Sequence, residues 1–276
     1  MKQISQNILN LKINARIITV LLFFVLAGLG QWAEARVFSF QTNGTSAYLK
    51  GTGAYSSIGD KAFADSSGTD TIFSDRVAYN FSGELGFSFL LKQGLNIRFG
   101  FEGLQTKSVD TIGKYRTNKA KYMDLNSKIT VFNPNMALEV DIKNLGTYRY
   151  FIFGGAGYAN VKVINDYTVT AAGVTHYGSA AAYKETWAAD VLSYQAGMGW
   201  EGFVFDNVTF GLDAGWRFLD ISQFKYNADA TVIRGLGSMA AAKGDVVVDD
   251  TGKKMVLDMG GPFVGITFKF YLPSFN

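Results

Sequence analysis

His176 is the only histidine in the chain, and Ser179 follows it three residues on. A histidine that takes a serine proton can create a nucleophile, but it needs a third group to orient the imidazole. No acidic residue is tied to this pair by spacing, so the pair reads as incidental to a polar loop and no catalytic residue is expected. A second set of groups is patterned differently. Glu84, Arg98, Glu102, Glu139, Glu201, Asp213, Arg217 and Lys269 each occupy the polar phase of a run whose alternate residues are apolar. If these runs enclose one interior, opposite charges would offset one another's desolvation, and any charge left alone there would be costly. A third set, Lys107, Lys114, Arg116, Lys119 and Lys121, crowds one polar stretch and is chemically suited to phosphate groups. The chain has no cysteine, which excludes disulfides and thiolate metal sites. No metal or cofactor is expected.

The elements that must position these groups are β-strands. Residues 77–91 place Val77, Tyr79, Phe81, Gly83, Leu85, Phe87, Phe89 and Leu91 on one phase, with small or polar residues between them. Side chains alternate faces along a strand, so this is a strand with one apolar and one polar face. Its length exceeds the usual 5–6 residues of soluble sheets and suits a membrane crossing, which takes about 9–11 tilted residues.

Seven further runs follow the same rule: a weaker one at 45–55, then 95–102, 128–142, 147–163, 192–201, 208–218 and 264–270. In the run 128–142, the fourth strand in chain order, Ile129 and Val131 hold one phase and Met136, Leu138, Val140 and Ile142 the other. Asn133-Pro134 lies between, and a bulge is expected there because proline donates no hydrogen bond to a ladder. In the fifth, Phe151, Phe153, Val161 and Val163 are set against Asn160 and Lys162.

The connections alternate between short and long, at about 20, 3, 23, 4, 24, 5 and 42 residues, as periplasmic turns and outer loops do in a transmembrane barrel. The fold expected is all-β: an eight-stranded antiparallel up-and-down transmembrane β-barrel. A soluble barrel with its apolar face inside would alternate too. The charges on the polar phase, and bulky aromatics such as Tyr79, Tyr194, Trp200 and Trp216 near strand ends, favour an apolar face turned to lipid with an interfacial aromatic girdle. The last long loop holds DVVVDDTGKKMVLDM, which reads as a hairpin turning at Asp250-Thr251-Gly252 and extending the last two strands outside the membrane.

The segments YFIFGGAGYANVKV, LSYQAGMGWEGFVFDNVTFGLDAGWRFLD and GPFVGITFKF resemble the outer-membrane β-barrel domain of OmpA-, OmpX- and OmpW-like proteins of Gram-negative bacteria. In that family a glycine and two spaced hydrophobic residues close the last strand and are read by the barrel assembly machinery. Gly265, Phe268 and Phe270 match this signal, although the chain continues to Asn276. The resemblance implies a non-enzymatic role in adhesion or membrane integrity, and as alternatives a narrow channel for small or hydrophobic solutes or, third, a lipid-A-modifying enzyme. It also implies contact with outer-membrane lipid and lipopolysaccharide, the latter through the lysine cluster, along with an extracellular ligand. A monomer is expected.

Lys2, Lys12 and Arg16, the apolar run 17–30 and Ala33-Glu34-Ala35 read as a cleaved secretory signal over 1–35, with one barrel domain over 36–276. Without residues 1–35 the chain carries 23 basic against 22 acidic side chains, which gives no electrostatic case for nucleic acid.

Overall fold

Period-two patterning over long runs produces eight staves: β1 (Thr45–Gly59), β2 (Val77–Lys92), β3 (Leu95–Thr106), β4 (Lys121–Asn144), β5 (Tyr148–Val169), β6 (Ala182–Phe205), β7 (Val208–Phe218) and β8 (Gly261–Tyr271). The structure is a computed structural model and describes residues 40, 44–59, 63, 71–73, 75, 77–115, 119–178, 182–205, 207–234, 237–249 and 252–272. The expected signal segment lies outside the described residues. Each stave pairs antiparallel with the next, and β8 closes on β1 from Ser46↔Tyr271 to Ala54↔Phe263. Eight staves therefore make a ring with no free edge, which is what a lipid-embedded sheet requires.

The outer wall is apolar. Leu49, Phe87, Phe101, Leu138, Leu212 and Ile266, on six different staves, are 45–62 % exposed. A continuous belt of this kind faces lipid rather than water, and the chain is a transmembrane β-barrel of the outer-membrane type. Turns at one end are short, with Gln93 and Gly94 joining β2 to β3, and Gly94 takes a positive φ of 78° there.

At the other end β4, β5 and β6, at 24, 22 and 24 residues, outgrow the 11- to 16-residue strands of the remaining wall. Strand Val109–Tyr115 folds onto β4, and Thr71–Phe73 adds to its far side. Helix α1 (Ala171–Tyr177) joins β5 to β6. The Thr170 side chain accepts from Gly173 N at its start, and Gly178 in the left-handed region ends it. In the last loop Asp220–Ile221 pairs with Leu257–Asp258, prolonging β7 and β8, and Ala230–Arg234 pairs with Gly237–Ala241. The expected hairpin is present around 249–253, with Met255 N bonded to Val247 O at 2.9 Å; Asp250 and Thr251 lie outside the described residues.

Four expectations require correction. The two expected connections of about 23 and 24 residues, the polar stretches 105–127 and 164–187, are largely strand, because β4, β5 and β6 continue beyond the membrane, where their outward positions turn polar. No bulge occurs at Asn133-Pro134: β4 keeps one register with β3 from Leu95↔Val140 to Gln105↔Thr130, and its shift against β5 falls between Asp141 and Lys143. The apparent change of phase is a change of interior, since Ile129 and Val131 point inward into an apolar core while Met136 and Leu138 point out to lipid. Finally, Phe151, Phe153, Val161 and Val163 share a face, but it is the inner one, and all four are at most 4 % exposed.

Candidate functional site: a layered, filled lumen

Inward positions bring together all eight charges singled out from the sequence, each at most 4 % exposed. Lys50, Arg149 and Asp141 join them. At the short-turn end Arg149 is the hub: its Nη2 lies 2.6 Å from both Glu139 and Glu201, its Nη1 2.8 Å from Asp141. Lys269 Nζ sits 3.1 Å from the same two glutamates. Glu201 Oε1 also accepts from Thr209 Oγ1 at 2.5 Å and from Tyr271 Oη at 2.9 Å. Phe40 covers this layer, its ring edge-on to Tyr271 at 6.1 Å and beneath the Arg149 guanidinium.

The middle layer holds Arg98, 2.9 Å from Glu139 and 3.7 Å from Asp213, with Lys50 2.8 Å from Asp213. Tyr48 Oη donates to Glu84 at 2.5 Å. Inward rings lie under these cations: Arg98 stands over Tyr48 and Phe153, and Lys50 over Phe153 and Phe263. Small residues make this crowding feasible. A side-chain carbon at Gly100 would collide with Glu84 and Tyr48, and one at Gly199 with Phe151 and Asp213.

Further outward, Arg217 pairs with Glu102, which also accepts from Asn133 Nδ2 at 3.1 Å, while Ser193 donates to Asn133 at 3.0 Å. A polar pocket beside Asn133, Ser193 and Arg217 has room for roughly one water. Above it the interior turns apolar. Leu125, Ile129, Val161, Val163, Trp187 and Phe224 belong to one buried cluster, and Trp187 Nε1 is satisfied by Glu185 at 2.9 Å. The lumen is thus an ionic plug below and an apolar plug above. Each charged group described in it has an ion-pair or hydrogen-bond partner, although Arg98 Nε and Nη2 and Arg217 Nη1 find none among the described residues, and an eight-stranded barrel is only wide enough for such filling.

Other candidates are placed apart from this interior. Tyr79, Tyr194 and Trp216 are half-exposed or more on the outer wall, while Trp200 is partly covered, its ring 6.3 Å from Phe210. Phe268 faces outward and Phe270 is partly covered, whereas Gly265 faces inward beside the Lys50 stem. Lys107, Lys114, Lys119 and Lys121 are exposed, with Lys121 2.7 Å from Asp124; Arg116 lies outside the described residues. His176 is held among Tyr115, Tyr122 and Tyr177 at ring distances of 4.8–5.0 Å, and its Nε2 has no hydrogen-bond partner among the described residues. Ser179 lies outside them.

No protein-family model matches the chain, and no curated protein matches it. Solved structures similar to it include the outer membrane protein OprG from Pseudomonas aeruginosa, at 13 % identity over 83 % of this chain and 97 % of that one, with a TM-score of 0.39. A major outer membrane protein from Thermus thermophilus is 11 % identical over 82 % and 99 %, with a TM-score of 0.45. Ail, the attachment invasion locus protein of Yersinia pestis, is 12 % identical over 83 % and 100 %, with a TM-score of 0.35.

Proposed function

We propose that this protein is a sealed, non-enzymatic barrel of the outer membrane whose work is done on its exterior, in surface interaction or membrane integrity. The observation that carries this reading is the lumen: Arg149, Arg98 and Arg217, at successive depths, are each locked to carboxylates, and the apolar cluster around Trp187 fills the space above them. A solute path would have to open both plugs. What remains available to partners is the projecting part of β4–β6, the strand Val109–Tyr115 and the 219–260 loop, a broad platform braced by its own core. Loops and projections carried on a rigid frame are where binding specificity resides. Among the described residues the neighbours of His176 are the rings of Tyr115, Tyr122 and Tyr177, an aromatic setting that fits a packed side chain better than an oriented base.

In this reading the short turns face the periplasm, residues 1–35 direct export, Gly265, Phe268 and Phe270 are read during assembly, and Tyr79, Tyr194, Trp200 and Trp216 anchor the wall at the interfaces. Planar-bilayer recording tests it. The folded protein should give no discrete conductance steps, and reproducible steps that vanish on heat unfolding would overturn the sealed barrel.

A further inference from the structure

On the outer wall above the lipid belt, charge is not evenly spread. On β4 the last outward aromatic is Phe132, followed outward by Thr130 and then Lys128. On β5 it is Tyr158, followed by Asn160 and then Lys162. Each lysine therefore stands four residues beyond its aromatic, about 13 Å along the strand. At the usual tilt that is roughly 10 Å of height, enough to cross from the end of the apolar belt to the outer side of a headgroup layer about 5–8 Å deep. Lys128 is paired with Ile164, so Lys162 is its diagonal neighbour, at about 7–8 Å between backbones. Lys107 lies just past the end of β3, exposed and two residues beyond Gln105, which pairs with Thr130.

Both Lys128 and Lys162 are partly buried, and neither has an ion pair among the described residues. The nearby acids are occupied or displaced: Asp166 is 3.1 Å from Lys184, and Asp190 accepts from Asn160 at 2.7 Å. The first outward charge beyond the belt on β6 is Asp190, and the first past the end of β7 is Asp220, both of the opposite sign, with Lys184 and Asp166 paired farther out. Two lysines on adjoining staves with no carboxylate paired to either leave positive charge that an anion could neutralise, and the surface continuous with them is the one that contacts lipid.

We propose that Lys128 and Lys162, assisted by Lys107, form a clamp for a phosphate on the headgroup of an outer-leaflet lipid, orienting this wall towards phosphorylated lipid. The clamp rests on the membrane-embedded reading of the barrel. The folded full chain in neutral detergent is titrated with bisphosphorylated lipid A, and bound lipid is counted by native mass spectrometry. Wild type should bind it in preference to the dephosphorylated form. Lys128→Gln/Lys162→Gln should weaken binding on the order of tenfold or more, Lys128→Arg/Lys162→Arg should keep it, and Lys92→Gln/Lys143→Gln, exposed at the short-turn end, should leave it unchanged. Equal binding by the glutamine pair and wild type, or by phosphorylated and dephosphorylated lipid A, overturns the clamp. So does full competition by inorganic phosphate, which would make this a free-anion site. Quenching of wall tryptophans by brominated lipid reports embedding separately, so a barrel that is embedded but lacks the clamp is recognised as such.

Discussion

Glu84 and Glu102 stand directly opposite one another on β2 and β3, both buried, yet each is satisfied by a different partner: Glu84 by the Tyr48 hydroxyl, Glu102 by Arg217. Like charges in opposed positions destabilise a sheet unless something separates or neutralises them. Tyr48→Phe leaves Glu84 without its donor and should cost about 1–3 kcal/mol. Adding Glu84→Gln removes the opposed charge and should recover most of that loss. Urea unfolding in lipid, followed by tryptophan emission, reads both, and a double variant no more stable than Tyr48→Phe would place the burden elsewhere.

Arg149 serves three carboxylates, Glu139, Asp141 and Glu201, whereas Lys269 serves two of them. Removing a buried partner leaves uncompensated charge, so Arg149→Met should destabilise by about 3–5 kcal/mol and Lys269→Met by less. The same unfolding midpoints decide it; the reverse order would show that Arg149 is not the hub.

Much of this architecture was legible because lipid outside and a filled lumen inside impose period two on every stave. The pairing inside was less so. Lys50 sits in a run of glycines and small residues, where alternation is faint, though its phase with Tyr48 and Thr52 marks it as inward. Arg149 lies within TYRYF, where both phases carry aromatics. The rule that apolar means outward fails there, because Phe151, Phe153 and Phe263 line the lumen beneath the cations. Nothing local to Ile129 or Val131 reveals that the interior changes from ionic to apolar along β4; that depends on Trp187, Phe224 and Leu257 arriving from elsewhere.

Phe87 and Ser88 separate the two faces within one dipeptide: Phe87 is 52 % exposed on the lipid wall, and Ser88 is buried opposite Arg98. Arginine at Phe87 should cost roughly 2–4 kcal/mol if it lies near mid-membrane. At Ser88 it would meet Arg98 in a crowded interior and should impair folding by like-charge repulsion that Ser88→Gln avoids. A lipid-borne quencher should reach a label at 87 and not at 88; the opposite result would invert the wall.

Trp187 is fully buried in the upper plug, its ring 5.9 Å from Phe224, and the neighbouring Lys225–Tyr226 is paired onto β6 at this point. Trp187→Ala should cost about 3–5 kcal/mol of local packing. The belt beneath has its own pairing, so the 219–260 loop should become protease-sensitive while the folded, heat-modifiable gel band persists. Loss of that band would mean that the projecting core and the membrane barrel fold as one unit.

The closing strand gives the sharpest test. Sequence resemblance marks Phe270 as the functional end, but the ladder runs one residue further and has a brace beyond it. Tyr271 pairs with Ser46, its N donates to Asn207 O at 2.8 Å, its O accepts from Asn207 Nδ2 at 2.7 Å, and its hydroxyl reaches Glu201. Leu272 N still bonds Thr45 O at 2.9 Å. Deleting 273–276 removes nothing from these contacts and should leave the folded band intact. Deleting 271–276 strips the inward hydroxyl from the Arg149 layer and the last rungs of the closure, and should lower stability by a few kcal/mol, about 1 for each hydrogen bond lost, while the ring still closes. Deleting 268–276 removes Phe268 and Phe270 with the pairs to Ala47 and Leu49, opening an edge that lipid cannot satisfy, and no folded band should form. Heat-modifiable migration of the three truncations orders them; if the 273–276 deletion abolishes the folded band as fully as the 268–276 deletion, the β8 register is wrong.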